Sequence, residues 1–154
     1  NKPLSIEEKC QTFDDEIILV ENIKKIFLLL LGKAFEKYGS EIEKNQQVLL
    51  SLSDLAIEAY LSESTLKRTI KNIKRSSVED QFDQINMTKL YIYEACQIVL
   101  KKSNDVVNSI IDLKSQDKVH SSIAGKLKYS ENPNIFELKT KIAEKIISEN
   151  RYCF

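Results

Sequence analysis

The sequence predicts an all-α protein, an up-and-down helical bundle of four main helices plus a short additional helix. Apolar residues recur at three- and four-residue steps along most of the chain, the period of a helix with one buried face. Only 3 Gly and 2 Pro interrupt the 154 residues, too few for a loop-rich β-protein. Ser, Asn and Gly stand at the ends of the periodic runs, where helix caps belong. A chain of this length can bury roughly 70% of the surface its unfolded form exposes, so one core suffices without cross-links.

Residues 1–14, with Pro3 and Ser5, read as a leading segment, and residues 15–154 as a single bundle domain. The first helix is expected from about Asp15 to Tyr38, on the stripe Ile18, Ile23, Phe27, Leu30, Leu31, Ala34, Phe35 and Tyr38. Gly39 ends it, because glycine takes a left-handed conformation after a last turn without steric cost. Ser40, followed by Glu41-Ile42-Glu43, is a capping signal for a long second helix. Its stripe is Ile42, Val48, Leu49, Leu52, Leu55, Ala56, Ala59, Leu66, Ile70 and Ile73, and the polar run Ser62-Glu63-Ser64-Thr65 suggests a bend midway.

Ser77 with Asp80 resembles a second capping box, opening a helix that carries Phe82, Ile85, Leu90, Tyr93, Cys96, Val99 and Leu100. Asn104 or Asp105 is expected to cap a shorter piece holding Val106, Val107, Ile110, Ile111 and Leu113. The stretch through Val119, Ile123 and Leu127 is weakly patterned, and Gly125 lowers its helix propensity. The turn Ser130-Glu131-Asn132-Pro133 breaks the chain. Asn134 with Glu137 then opens a last helix whose face is Leu138, Ile142, Ala143, Ile146 and Ile147.

Lys plus Arg and Asp plus Glu both number 23, and the signs are interleaved, which argues against a nucleic-acid partner. Cys10, Cys96 and Cys153 are odd in number and widely spaced, as suits reduced thiols in the cytoplasm. The apolar tract Ile26–Leu31 is far short of the roughly 20 residues that span a bilayer, so it reads as a buried helix segment. The chain begins at Asn1 without a basic-apolar leader, and it is expected to be a fragment of a longer one.

The inventory for chemistry is sparse. His120 is the one histidine, which excludes multi-histidine zinc and di-iron sites, and it reads as a surface residue after a loop. Gly32, Gly39 and Gly125 are isolated, so neither dinucleotide-binding nor P-loop patterns occur. Cys96 is expected in the core, whereas Glu58, Glu63 and the run Asp14, Asp15, Glu16 are expected to be solvated helix carboxylates. No catalytic, cofactor-binding or metal-ligating residue emerges. Lys67, Arg68, Lys71, Lys74 and Arg75 form the one basic run suited to docking on phosphates or membrane headgroups, although the helix dipole also explains cations there.

One set of residues carries a family likeness. The stretch Asn45-Gln46-Gln47-Val48-Leu49-Leu50-Ser51-Leu52-Ser53-Asp54-Leu55-Ala56-Ile57-Glu58-Ala59-Tyr60, followed by Glu63-Ser64-Thr65-Leu66-Lys67-Arg68, resembles the C-terminal helical extension of very-long-chain-type bacterial acyl-CoA dehydrogenases. The preceding Leu30–Gly39 and the terminal Ile142–Phe154 are similar to the flanking helices of that extension. The resemblance implies a non-catalytic domain that supports packing and assembly of an FAD-dependent core, which would lie upstream and oxidise fatty acyl-CoA between Cα and Cβ in β-oxidation. It implies FAD in the parent and no cofactor in this fragment. Expected partners are the catalytic core, a second copy in a homo-oligomer, and a peripheral membrane contact. The alternatives are a membrane- or partner-docking helical module and an unrelated helical adaptor.

The expected core includes Phe27, Leu30, Leu52, Ala56, Leu66, Tyr93, Val99, Leu138, Ile142 and Ile146. Leu52→Ala should lower the free energy of unfolding by about 2–5 kcal/mol in urea titrations. A loss under about 0.5 kcal/mol, the scale of surface sites, would mean that the stripe faces solvent.

Overall fold

The computed structural model describes residues 13–73 and 78–149. Five α-helices account for most of them: α1 (Asp14–Tyr38), α2 (Gln46–Asn72), α3 (Val78–Ile110), α4 (Leu113–Lys126) and α5 (Ile135–Glu149), with a 3₁₀ turn at Gly39–Lys44. No strand occurs among the described residues, as the sequence pattern requires. The expected box at Ser77 and Asp80 lies outside the described side chains, as do Cys10 and Cys153.

Helix α1 opens with Asp14, Asp15 and Glu16 in its first turn, where the dipole favours negative charge. It closes at Gly39, whose φ of 50° is open to glycine and strained for other residues. The chain does not enter α2 at Ser40, as the capping signal suggests. Ile42 is buried beneath a tight 3₁₀ turn, and the α-helix begins only at Gln46, after Asn45 has donated a side-chain hydrogen bond to the Glu41 carbonyl at 3.1 Å. Here the pull of one apolar side chain into the core outweighs the local cap.

The α2 helix runs unbroken through Ser62–Thr65. Its hydroxyls are absorbed into the packing: Ser62 is buried, and Thr69 Oγ1 meets Thr88 Oγ1 of α3 at 2.7 Å. The helix α3 runs 33 residues, about 50 Å at the α-helical rise, straight through the expected caps Asn104 and Asp105. Val99, Ser103, Val106, Val107 and Ile110 lie buried on one continuous face of α3, and burying that face outweighs the capping preference of an isolated Asn or Asp. The break falls instead at Asp112, and Gln116 Nε2 caps the freed carbonyl of Ile111 at 2.9 Å.

The three long helices pack against one another, α1 and α3 parallel and α2 antiparallel between them. Contacts fix the register: Lys24 bridges to Glu63 across α1–α2 at 3.3 Å, Asp54 to Lys102 across α2–α3 at 2.6 Å, and Lys37 Nζ donates to the Ser109 carbonyl across α1–α3 at 2.6 Å. The fourth column is split. Helix α4 covers the second half of α3 through Asn104, Asn108 and His120, and α5 covers the first half through Lys139–Glu94 and Lys145–Asp83. The Pro133 turn separates them.

Leu30, Leu52, Leu66 and Val99 are buried as expected, joined by Phe13, Ile23, Leu55, Ile73, Ile92 and Ile123. Phe27, Ala56 and Tyr93 are half-buried, the aromatic pair partner of Tyr93 being Tyr129 at 6.3 Å between centroids. The last helix departs from expectation. None of its residues is buried; Leu138, Ile142 and Ile146 are half-buried, and Ile147 is 76% exposed, because α5 meets the bundle along one narrow side. Its start is the expected one: Asn134 Oδ1 accepts the Glu137 amide at 3.2 Å, and Asn134 Nδ2 donates to the Glu137 carboxylate at 3.4 Å.

Removing that cap should loosen α5 alone. Asn134→Ala is expected to cost about 1 kcal/mol, read as faster hydrogen exchange confined to residues 135–149. Equal acceleration in α3 would contradict the peripheral placement of α5.

Candidate functional site

The chemistry-bearing side chains are placed by the bundle, and most are neutralised by it. Cys96 sits on the buried face of α3, where burial first and the charge of Glu16 second push its thiol up to about 12, leaving an inert core residue. His120 does not follow a loop. It lies within α4, half-buried, with Nδ1 2.7 Å from Asn104 Oδ1 and Nε2 3.0 Å from Asn108 Oδ1, so both ring nitrogens serve to dock α4 onto α3.

Among the acids, Glu63 is held by Lys67 and Lys24, whose hydrogen bonds keep its carboxyl below the usual carboxylate range. Glu58 accepts from the Tyr91 hydroxyl at 3.3 Å; burial and this neighbouring charge push the Tyr91 phenol up to about 12. Asp15 accepts from both the backbone N–H (3.0 Å) and the hydroxyl (2.6 Å) of Ser130, clamping the α4–α5 connection to the start of α1.

Glu16 corrects the expectation of a solvated carboxylate. It is 2% exposed, and desolvation raises its pKa against the opposing pull of Lys89 and of a hydrogen bond from Tyr129. Burial and the neighbouring Glu16 likewise raise the Tyr129 phenol. Glu16, Lys89 and Tyr129 line a depression of about 460 Å³ with Asp15, Ser130 and Pro133. The Asp15–Ser130 bonds and the Tyr129 hydroxyl, which donates to the Lys89 carbonyl at 3.5 Å, tie this end of the bundle together. Nothing in the local sequence distinguishes Glu16 from Asp14 except its register with Leu19, Val20 and Ile23, which places it on the inner face.

Among the described residues no group of three His, Cys, Asp or Glu side chains is placed to hold a metal. Gly32 and Gly125 lie on exposed helix faces, and Gly39 lies in a turn. No described helix is long and apolar enough to cross a membrane.

What remains is surface. The Lys24–Glu63 bridge aligns α1 with α2, and one turn along from it on both helices Leu28 stands level with Tyr60. Leu28 and Phe35 on α1, with Leu50, Ile57, Tyr60 and Leu61 on α2, expose between 41% and 71% of their surface on the outer side of this helix pair. On α2 the spacing 50, 57, 60, 61 is helical, and Arg68 and Lys71 extend the same face to its C-terminal end. Lys67 joins them but is paired with Glu63 at 2.6 Å, and Lys74 and Arg75 lie outside the described residues. The resulting patch is apolar with a basic end, of the kind that marks interaction surfaces.

Residues 22–124 match the family described as acyl-CoA dehydrogenase, C-terminal domain. The chain is 26% identical over 141 residues to a probable acyl-CoA dehydrogenase of Bacillus subtilis (strain 168), covering 90% of this chain and 23% of that protein. It also superposes on the crystal structure of an acyl-CoA dehydrogenase complexed with FAD from Bacillus anthracis, with a TM-score of 0.84 and 27% identity, covering 90% of this chain and 24% of that one. The chain thus spans about a quarter of the length of the relatives it matches.

Burial of Glu16 has a pH signature. The folded chain holds this proton where the unfolded chain releases it, so stability falls as pH rises from the ordinary carboxylate range through the raised value. Glu16→Gln is expected to flatten that slope in denaturant titrations between acidic and neutral pH. An unchanged slope would place the carboxylate in solvent.

Proposed function

Because the chain belongs to the acyl-CoA dehydrogenase C-terminal domain family, we propose that it is a non-catalytic helical domain that packs on the catalytic core of a longer, FAD-dependent acyl-CoA dehydrogenase. In this reading the core binds FAD and oxidises fatty acyl-CoA between Cα and Cβ, in the cytoplasm, and residues 15–154 act as one unit that supports assembly. The observation that carries it is the exposed apolar ridge on α1 and α2, in a molecule whose catalytic candidates are engaged in packing. A bundle with a closed core has no folding reason to leave Leu28, Phe35, Ile57 and Tyr60 in water, whereas a docking domain does.

The basic end of the ridge is read as the rim of the same contact, since rim charges steer and orient a partner more than they bind it. Lys67, Arg68, Lys71, Lys74 and Arg75 serve equally as a docking patch for an anionic membrane surface beside an assembled enzyme.

The paired substitution Leu28→Glu and Tyr60→Glu tests the docking role. In the longer chain it should lower the thermal midpoint and the flavin content of purified protein, while Ser53→Ala leaves both unchanged. In the 154-residue chain the same pair should be nearly neutral, within about 0.5 kcal/mol each, as befits exposed positions. Unaltered stability, flavin content and subunit assembly in the longer variant would remove the docking role, and a longer chain without a flavin core would remove the parentage.

A further inference from the structure

A cleft runs between α1 and α4, on the side of α1 away from α2. Its first part, about 410 Å³, has an apolar floor of Ile26, Leu29, Val119 and Ile123, with Lys25, Lys118 and Lys126 around it and no acidic side chain in its lining. Those three lysines form no ion pair among the described residues, although cations and carboxylates pair freely elsewhere on the surface. The nearby Glu21 is committed to Lys24 at 2.6 Å. Beyond Val119 lies a second depression of about 430 Å³, where Ile110 and Ile111 stand among Lys33, Glu36, Lys37, Asp112 and Ser115. The two parts share Val119, and the apolar floor belongs to the first.

We infer that this cleft is an accessory, non-catalytic site for a long-chain fatty acyl-CoA. The apolar lining accepts a stretch of the acyl chain, and the three unpaired ammonium groups face the phosphates of the coenzyme. A triad of cations in a lining without an acid selects a polyanion over a single carboxylate, because each unpaired positive charge adds to the local potential. The choice of acyl-CoA as that polyanionic amphiphile rests on the proposed function. The cleft geometry does not. Ser122 lies in the same wall and supplies a hydroxyl to a phosphate oxygen or a thioester carbonyl.

Isothermal titration of the 154-residue chain with palmitoyl-CoA, kept below its micelle-forming concentration, tests the site, with coenzyme A and palmitate as separate arms. Palmitoyl-CoA is expected to saturate at one per chain, with coenzyme A alone and palmitate alone each weaker by about tenfold or more. Lys118→Glu combined with Lys126→Glu should weaken palmitoyl-CoA by about tenfold or more at unchanged helical circular dichroism. Lys128→Glu, a single charge reversal outside the cleft lining, should not. Should the double reversal disturb folding, Ser122→Trp, which fills the cleft from an exposed position, should block binding on its own.

Absence of saturation overturns the inference, as does equal weakening by Lys128→Glu. Palmitate binding as tightly as palmitoyl-CoA would make the site a carboxylate site and overturn the assignment of coenzyme. Self-association of the chain that the double reversal abolishes would make a second copy the occupant. Failure here leaves the flavin chemistry of a longer chain untouched, and loss of that chemistry leaves this titration interpretable.

Discussion

Helix α3 is the constraint on which the rest of the molecule depends. Its 33 residues carry one unbroken inner face, from Ile85 through Ile92, Cys96 and Val99 to Val107 and Ile110, and every other helix packs against some part of it. The stripe commits α3 to a single helix across Asn104 and Asp105, since a break there would turn Val106 and Val107 out of register and forfeit their burial. With α3 intact, α1 and α2 close the core alongside it. The shorter α4 and α5 then share the remaining side, one on each half of its length, and the Asp15–Ser130 clamp fastens their junction to the start of α1.

Much of this was legible in the residues. The apolar period marked α1 almost to the residue, and Asn134 with Glu137 announced α5 correctly because that cap stands at a helix end free of competing tertiary contacts. The failures share one cause. Ser40 and Asn104 carry local capping preferences, and in both cases burial of neighbouring side chains prevails. Periodicity reports that a face is buried without saying how deeply, so the half-buried face of α5 read as a core face.

The site was less legible than the fold. Glu16 looked like one of three solvated acids, and its burial beside Tyr129 and Lys89 comes from contacts with residues far along the chain. The same holds for His120, whose docking partners lie on another helix, and for the cleft between α1 and α4, which unites Lys25 with Lys118 and Lys126. Family likeness, read from residues 30–39, 45–68 and 142–154, located none of these; it named the family and left the geometry to be found. The basic run was visible in sequence, yet its continuity with Leu50, Ile57, Tyr60 and Leu61 appears only once α2 is seen as one unbroken helix.

A domain whose core is closed around α3, and whose Glu16, Cys96 and His120 are tied into packing, offers its surroundings chiefly surfaces. The proposed docking ridge on α1 and α2 is the central claim, and hydrogen exchange reads it most directly. Exchange should be compared between the 154-residue chain and a longer chain that carries a flavin core. Slower exchange in residues 24–35 and 50–64 of the longer chain, with the exposed side of α5 unchanged, is the expected result. Protection that appears on α5 while the α1–α2 ridge exchanges as in the shorter chain would contradict it.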